Sequence, residues 1–302
     1  MRLGIFPNLL RQRRTYSVIS DFGSMKLLAI DVGNTIINFG LFSALAKGEF
    51  LPDPPVAGQA GENDRGFTCG GDNKELTKIK ILTTKFAKIP FSDYDIAIIS
   101  SVVPDLTPKI KKNLKNSIVV NHKNIPIKIK LINPGEVGSD RLVNAVAVKE
   151  LYGVPSVVID LGTATTFDIV SENGEYIGGV IAPGVRISAE SLSEKTAKLP
   201  KVSFRVPMKS GRRNLVVGKN TKEAILAGIF YGQVGLIREV IKRIRSSPSR
   251  FACGEEFGVR RLKVVLTGGY ANFFAAHFPD FIVDEDLTLK GLKIIFEKLT
   301  LR

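Results

Sequence analysis

The sequence predicts an α/β fold in which one structural plan is used twice. Strand-like and helix-like stretches alternate through both halves of the chain. A strand, a tight turn and a returning strand occur at Leu27 to Phe42 and again at Val157 to Val170, each with an Asp-x-Gly tip followed within two residues by threonine. At 302 residues and 44% apolar content, the chain can fill two modest cores.

In chain order, the first hairpin runs from Leu27-Leu28-Ala29-Ile30-Asp31 through the turn Val32-Gly33-Asn34-Thr35 into Ile36 to Phe42. Gly48 to Asn73 is rich in Gly, Pro and charge without a period and predicts a disordered or loop insertion. Tyr94 to Val103 predicts a buried strand that stops at Pro104, and Pro108 to Leu114 a short basic helix. Ser139 to Leu151 predicts an apolar helix closed by Gly153 and Pro155. The second hairpin follows, Val157 to Thr166 with the return at Phe167 to Val170. Asn220, with Glu223 three residues on, predicts the N-cap of a helix reaching about Arg245. Gly228, Gly232 and Gly235 share one flank of it, which predicts close packing against a neighbour. Leu262 to Thr267 reads as a strand, Gly268-Gly269 as a turn, and Tyr270 to His277 as a helix start.

Composition removes several function classes. No apolar run approaches the roughly 20 residues of a membrane-spanning helix. Cys69 and Cys253 have no metal or disulfide spacing, and His122 and His277 sit in no hydrolase motif. The formal charge of +14 invites nucleic acid, but its distribution argues otherwise. Residues 74–130 carry 12 basic and 4 acidic side chains and residues 195–263 carry 17 and 4, whereas residues 131–194 carry 3 and 9. The basic stretches lack the interleaved aromatics of a single-strand-binding surface and read as solvated faces. Nucleic-acid binding is not expected. Arg2, Arg11, Arg13 and Arg14 precede any acidic residue, as in a transit peptide. The competing and favoured reading is an upstream start codon ahead of a chain that begins at Met25, so that truncation at Met25 leaves activity intact.

The chemistry concentrates at the two tips. An Asp-x-Gly turn followed by threonine offers backbone N–H groups and a hydroxyl to a phosphate, while its carboxylate can hold a metal ion or metal-bound water. Two such tips on facing domains can grip a nucleoside triphosphate in a cleft. Phosphoryl transfer to an alcohol then needs one carboxylate near the attacking hydroxyl. Gly138-Ser139-Asp140-Arg141 supplies it at a predicted helix N-terminus, where the dipole favours ionised Asp140 and Arg141 can meet an anion or developing charge.

Together with Ser100-Ser101-Val102-Val103-Pro104, Asn133-Pro134, Gly178-Gly179, Pro183-Gly184, Lys198-Leu199-Pro200, Gly218-Lys219-Asn220-Thr221 and Thr267-Gly268-Gly269, these strings resemble the type III pantothenate kinases. That family belongs to the superfamily of acetate kinase, sugar kinases, Hsp70 and actin, and the resemblance covers almost all of residues 26–300. It implies two duplicated ribonuclease H-like (actin-like ATPase) domains with a cleft between them, at residues 25–153 and 154–302. Residues 1–24 would be a disordered or misassigned leader, and the insertion near 48–73 would sit in the first domain. It further implies ATP-dependent phosphorylation of pantothenate to 4'-phosphopantothenate, the first step of coenzyme A synthesis. The expected catalyst is a cytoplasmic homodimer using Mg2+ and a monovalent cation, K+ or NH4+, with organellar import the alternative if the leader is native. Carried over by position, Asp31, Val32, Gly33, Asn34, Thr35, Ile36, Ile37, Asn38 and Thr163 bind the nucleotide. Gly138, Ser139, Asp140, Arg141 and Thr221 contact pantothenate, Asp140 is the general base and Asp160 binds the monovalent cation.

Two departures accompany the resemblance. Leu131 stands where the family commonly has a substrate-contacting tyrosine. The insertion and Ile79 to Lys88 stand where it has an Arg-rich strand and a helix, so a trimmed or rebuilt first domain is expected. The competing functions are a non-catalytic transcriptional accessory factor of the same fold and a kinase for another small hydroxy substrate such as a sugar.

Overall fold

The structure, a computed structural model, describes residues 25–43, 76–204, 216–246 and 262–300. The expected leader at 1–24, the insertion at 48–73 and both cysteines lie outside them. Two mixed sheets carry the fold. The first contains β1 (Leu27–Val32), β2 (Ile36–Phe42), β3 (Leu76–Leu82), β4 (Ile96–Ser101) and β5 (Ser117–Val119), in the order β3-β2-β1-β4-β5. The second contains β6 (Lys128–Ile129), β7 (Ser156–Leu161), β8 (Ala164–Val170), β9 (Glu175–Pro183), β10 (Lys263–Thr267) and β11 (Ile282–Val283), in the order β11-β10-β7-β8-β9-β6. The expected duplication is visible in the pairings. In each sheet the central strand runs antiparallel to its hairpin partner and parallel to the next strand in, β4 beside β1 and β10 beside β7.

Between the sheets lie two helices, α2 (Ser139–Tyr152) and α6 (Leu287–Thr300), which pack on each other. One core contains Leu27, Ala29, Ile96 and Ile98 of the first sheet, Val158, Val170 and Val265 of the second, and Val143, Ala147, Leu292 and Ile295 of the helix pair. The alternate residues face outward. Leu28, Ile30 and Ile99 pack with Ile110 of α1 (Thr107–Lys112), while Val157, Ile159 and Phe167 pack under α4 (Thr221–Ser246) and α5 (Ala271–Ala275). A further helix, α3 (Val185–Glu194), lies on α4. The period of two along a strand thus assigns odd residues of β1 and even residues of β7 to the layer between the sheets.

At the place where a trimmed or rebuilt first domain is expected, β3 pairs with β2 from Ile36↔Leu82 to Phe42↔Leu76, and a 3-10 turn at Thr83–Lys85 stands where the resemblance implies a helix. Its sequence, LTKIKIL, interleaves lysines with apolar residues and lies at the sheet's edge, where exposed charge guards an unpaired strand. Two expectations need correction. Among the described residues the glycine flank of α4 has no neighbour, since a Cβ at Gly228, Gly232 or Gly235 would meet nothing within 4 Å. The helix instead buries Phe230, Val234, Ile237 and Ile241 on its other flank. Finally, α4, with 26 residues, is long and apolar enough to cross a membrane, which the sequence reading overlooked. Its apolar face is taken by the second core, with Gln233 buried among those side chains. The capping of α4 is as expected, with Glu223 N–H donating to Asn220 Oδ1 at 3.0 Å and Lys219 N–H to Glu223 Oε2 at 2.9 Å.

The central helices approach tightly at Gly291, where a Cβ would lie 2.7 Å from the Val143 carbonyl and 3.0 Å from Ala147 Cβ. Gly291→Ala should therefore overpack the layer and cost about 1–3 kcal/mol. Thermal unfolding should show a midpoint several degrees lower with an unchanged fold by circular dichroism, and an unshifted midpoint would show that the two helices can separate freely.

Candidate active site

Strand parity and one helix terminus assemble the site. Asp31 ends the inward row Leu27, Ala29 on β1, and Asp160 ends the inward row Ser156, Val158 on β7. Asp168 lies on the inward face of β8 with Val170 and is fully buried. Asp140 stands in the first turn of α2, whose N-terminus enters between the strand ends. The carboxylate accepts the Arg141 backbone N–H at 2.8 Å and lies over Gly138, where a Cβ would come within 2.5 Å of Oδ1. Only glycine at 138 leaves room for that arrangement.

Ser139 fastens the turn to the first sheet. Its hydroxyl accepts the Ser101 N–H at 2.9 Å and hydrogen bonds with the Ser100 hydroxyl at 3.0 Å, and Ser100 is the residue paired with Asp31 in the β1–β4 ladder. The role foreseen for Ser139, contact with substrate, is thus joined by a structural one. Asn38 donates to Asp31 Oδ2 at 3.1 Å. The hairpin tips meet across the cleft: the Thr35 and Thr163 hydroxyls are 2.9 Å apart. Arg186, in the first turn of α3, donates Nη2 to Thr35 Oγ1 at 2.7 Å. Gly184 lets the second tip lie against α3, since a Cβ there would be 2.3 Å from the Thr163 carbonyl.

The nucleotide-binding residues foreseen at Asp31 to Asn38 and Thr163, and Gly138 to Arg141 and Asp160, therefore converge. Thr221 is exposed at the start of α4, and among the described residues no hydrogen bond ties it to the carboxylate group. Leu131 packs at the margin of the central core, 3.4 Å from where a Gly178 Cβ would stand.

Four residues that sequence reading passed over belong to the site. Arg141 Nε donates to Asp168 Oδ1 at 2.7 Å, and the Tyr176 hydroxyl donates to the same oxygen at 2.9 Å. Asn144, one helical turn after Asp140, donates its amide to Asp160. Its carbonyl oxygen accepts the Thr288 hydroxyl of α6 at 2.8 Å, which fixes the amide's orientation. Asp168 shares the inward parity of Asp160, and Asn144 lies four residues from Asp140. Those spacings were the available signals.

Three carboxylates meet here against one guanidinium. Burial, with Asp140 nearby, raises Asp31 to about 7. Burial, with Asp140, Asp31 and Asp168 nearby, raises Asp160 to about 8 despite the Asn144 hydrogen bond. Burial also raises Asp140, opposed by the Arg141 N–H and charge. Such a group is short of positive charge.

A family model described as type III pantothenate kinase matches residues 27–243. The chain belongs to the type III pantothenate kinase family. It is 37% identical over 279 residues to the type III pantothenate kinase of Dehalococcoides mccartyi, covering 90% of this chain and 95% of that one. With the Rhodospirillum rubrum enzyme it shares 39% identity over 282 residues, 90% of this chain and 98% of the other. A Campylobacter jejuni structure described as a Baf family transcriptional activator superposes with a TM-score of 0.53 at 22% identity, over 90% of this chain and 98% of that one, and shares the fold. Members of a kinase family work with ATP and a divalent metal. The donors present are oxygens, which suits Mg2+, and the raised carboxylates mark where positive charge is lacking. Among the described residues no three acidic, His or Cys side chains form a ligand group, so an ion would take one or two carboxylates and complete its shell with phosphate and water.

The raised carboxylates make a stability prediction. Folded Asp31 and Asp160 keep protons at pH values where unfolded carboxylates, near 3.8, have lost them. The folded state then binds more protons, so stability falls as pH rises from that range through about 7 for Asp31 and about 8 for Asp160. The ligand-free protein should show an unfolding midpoint that declines from about pH 5 to about pH 8. Asp160→Asn should flatten the decline, and an unchanged slope would show that these carboxylates titrate normally.

Proposed function

We propose that the chain transfers the γ-phosphoryl group of ATP to the terminal hydroxyl of pantothenate, giving 4'-phosphopantothenate and ADP in the first step of coenzyme A synthesis. The observation that carries this reading is the place of Asp140. It sits at a helix N-terminus, near enough to the strand-end acids Asp31 and Asp160 to raise both, in a chain of the pantothenate kinase family.

In this reading Asp140 accepts the proton of the attacking hydroxyl as the new O–P bond forms and the bond to the ADP oxygen breaks. Its raised basicity strengthens it for that task once the site's charge is balanced. The backbone of Asp31 to Asn38, with the Thr35 and Thr163 hydroxyls, holds the triphosphate. Gly138 to Arg141 hold pantothenate, with Thr221 completing the pocket. Mg2+ supplies charge neutralisation at the phosphates when bound. Asp160 is the residue for K+ or NH4+, its carboxylate being the more strongly raised of the two strand-end acids. The enzyme acts as a homodimer in the cytosol. The open flank of α4 at Gly228, Gly232 and Gly235 supports this, because a second copy would supply the close neighbour that helical glycines accept. The competing readings, a regulator without activity and a kinase for sugars, leave the Asp140 arrangement without a use or without the family match.

Asp140→Asn should lower kcat at least 10²-fold while ATP affinity changes by less than about twofold, since the lost group acts only on the hydroxyl. Pantothenate-dependent ADP release in K+ or NH4+ against Na+, beside titration with an ATP analogue, tests both. Full turnover by the variant would remove Asp140 from the mechanism, and turnover with simple sugars but not pantothenate would reassign the substrate.

A further inference from the structure

Asp168 is fully buried beside the reaction centre, and the chemistry above makes no use of it. A carboxylate withdrawn from water is costly unless it is paired and hydrogen bonded. Three donors meet this one: Arg141 Nε at 2.7 Å and the Tyr176 hydroxyl at 2.9 Å on Oδ1, and the Thr166 hydroxyl at 3.3 Å on Oδ2. Asp168 thus forms the back of the cleft wall that faces the first turn of α2.

The floor beneath the guanidinium is shaped to match. Gly179 is the residue paired with Asp168 in the β8–β9 ladder. A Cβ on it would stand 2.4 Å from Arg141 Nη2 and 1.9 Å from the Phe167 carbonyl. Arg141 therefore lies over a strip of bare backbone, held from behind through Nε. An arginine held in that way keeps its two terminal nitrogens, which carry four of its five N–H donors. Among the described residues, the side-chain hydrogen bond that Arg141 donates is the one from Nε. Besides Asp168, the Arg141 charge also acts on Asp140 of its own helical turn.

We propose that Asp168 is the positioning residue for Arg141, holding the guanidinium by Nε so that its terminal nitrogens face pantothenate rather than folding onto Asp140. Gly179 provides the clearance and Tyr176 completes the shell of Asp168. This rests on the reading of Arg141 as a pantothenate contact. Burial lifts Asp168 to about 6, so at neutral pH it remains the anion that the guanidinium requires. The consequence is selective: loss of Asp168 weakens the hold on the acceptor substrate and leaves the nucleotide side, built from the hairpin tips, untouched.

The test is a kinetic double-mutant cycle with Asp168→Asn, Arg141→Ala and the double variant, with KM for pantothenate and for ATP, kcat and the unfolding midpoint measured for each. Asp168→Asn should raise the pantothenate KM at least 10-fold and the ATP KM less than twofold, and the double variant should be no worse than Arg141→Ala. A folded Asp168→Asn with the wild-type pantothenate KM overturns the proposal, as does an equal rise in both KM values or a double variant whose losses multiply. Arg141→Lys is independent of whether Asp168→Asn folds. Lysine cannot give one nitrogen to Asp168 and others to substrate, so its pantothenate KM should match that of Arg141→Ala. A wild-type KM would show that charge alone suffices and overturns the proposal. Calorimetric titration of the wild-type chain with pantothenate separates the two readings. Binding with unaffected variants removes this inference alone, and no binding removes it together with the assigned substrate.

Discussion

The site depends on one packing constraint: two helices, α2 and α6, fill the space between the sheets and are shared by both. Because that layer is apolar, each central strand must turn every second residue toward it, and the last inward position of β1 and of β7 is an aspartate. A one-residue slip of either strand would send its carboxylate to the outer core. The close contact at Gly291 and Val143 sets how far α2 reaches, and so where Asp140 enters between the strand ends. Ser139 then ties that turn to β4 through Ser101, which prevents the helix from sliding along its axis. The position of Asp140 is therefore a consequence of core packing.

The same arrangement carries an electrostatic cost. Burial raises Asp31, Asp140 and Asp160, Asp140 adds to the shift of the other two and Asp31 to that of Asp160, with Arg141 committed to a fourth carboxylate. Proteins tolerate such crowding where function repays it, and here the missing positive charge is what a nucleotide-bound metal brings. Asn144 limits the damage by donating to Asp160, and Thr288 stops its amide from turning the wrong end. That contact joins the far end of the chain to the carboxylate cluster, so α6 is both a packing element and a support for the site.

The hairpins, α2, α4 and the strand at β4 were legible because their signals are local: an apolar run, a capping residue, a glycine where the chain turns. The edge strand β3 was not read as one, although its alternating lysines and isoleucines carry the period of two, because its partner lies beyond a long intervening segment. The glycines of α4 misled for a related reason. Spacing on a helix says which residues share a flank but not which flank the core will take. Asp31, Asp140 and Asp160 stood out by motif. Asp168 and Asn144 owe their roles to partners 27 and 144 residues away, which no local pattern encodes. Nothing in β8 except parity separates Asp168 from a surface acid.

If the tips hold the nucleotide, as proposed, their contact with each other is what it must displace. With Thr35 and Thr163 hydroxyls 2.9 Å apart, no phosphate oxygen fits between them, and Arg186 completes the closure. A neutral hydroxyl pair is worth about 0.5–1.5 kcal/mol net, whereas hydrogen bonds to a charged phosphate are roughly twice as strong. Exchange of the Thr–Thr bond for two bonds to phosphate is therefore favourable, and Arg186, already at the tip, exchanges a neutral acceptor for an anion. The protein's internal contact is weak enough to yield to its ligand while still holding the two tips in register.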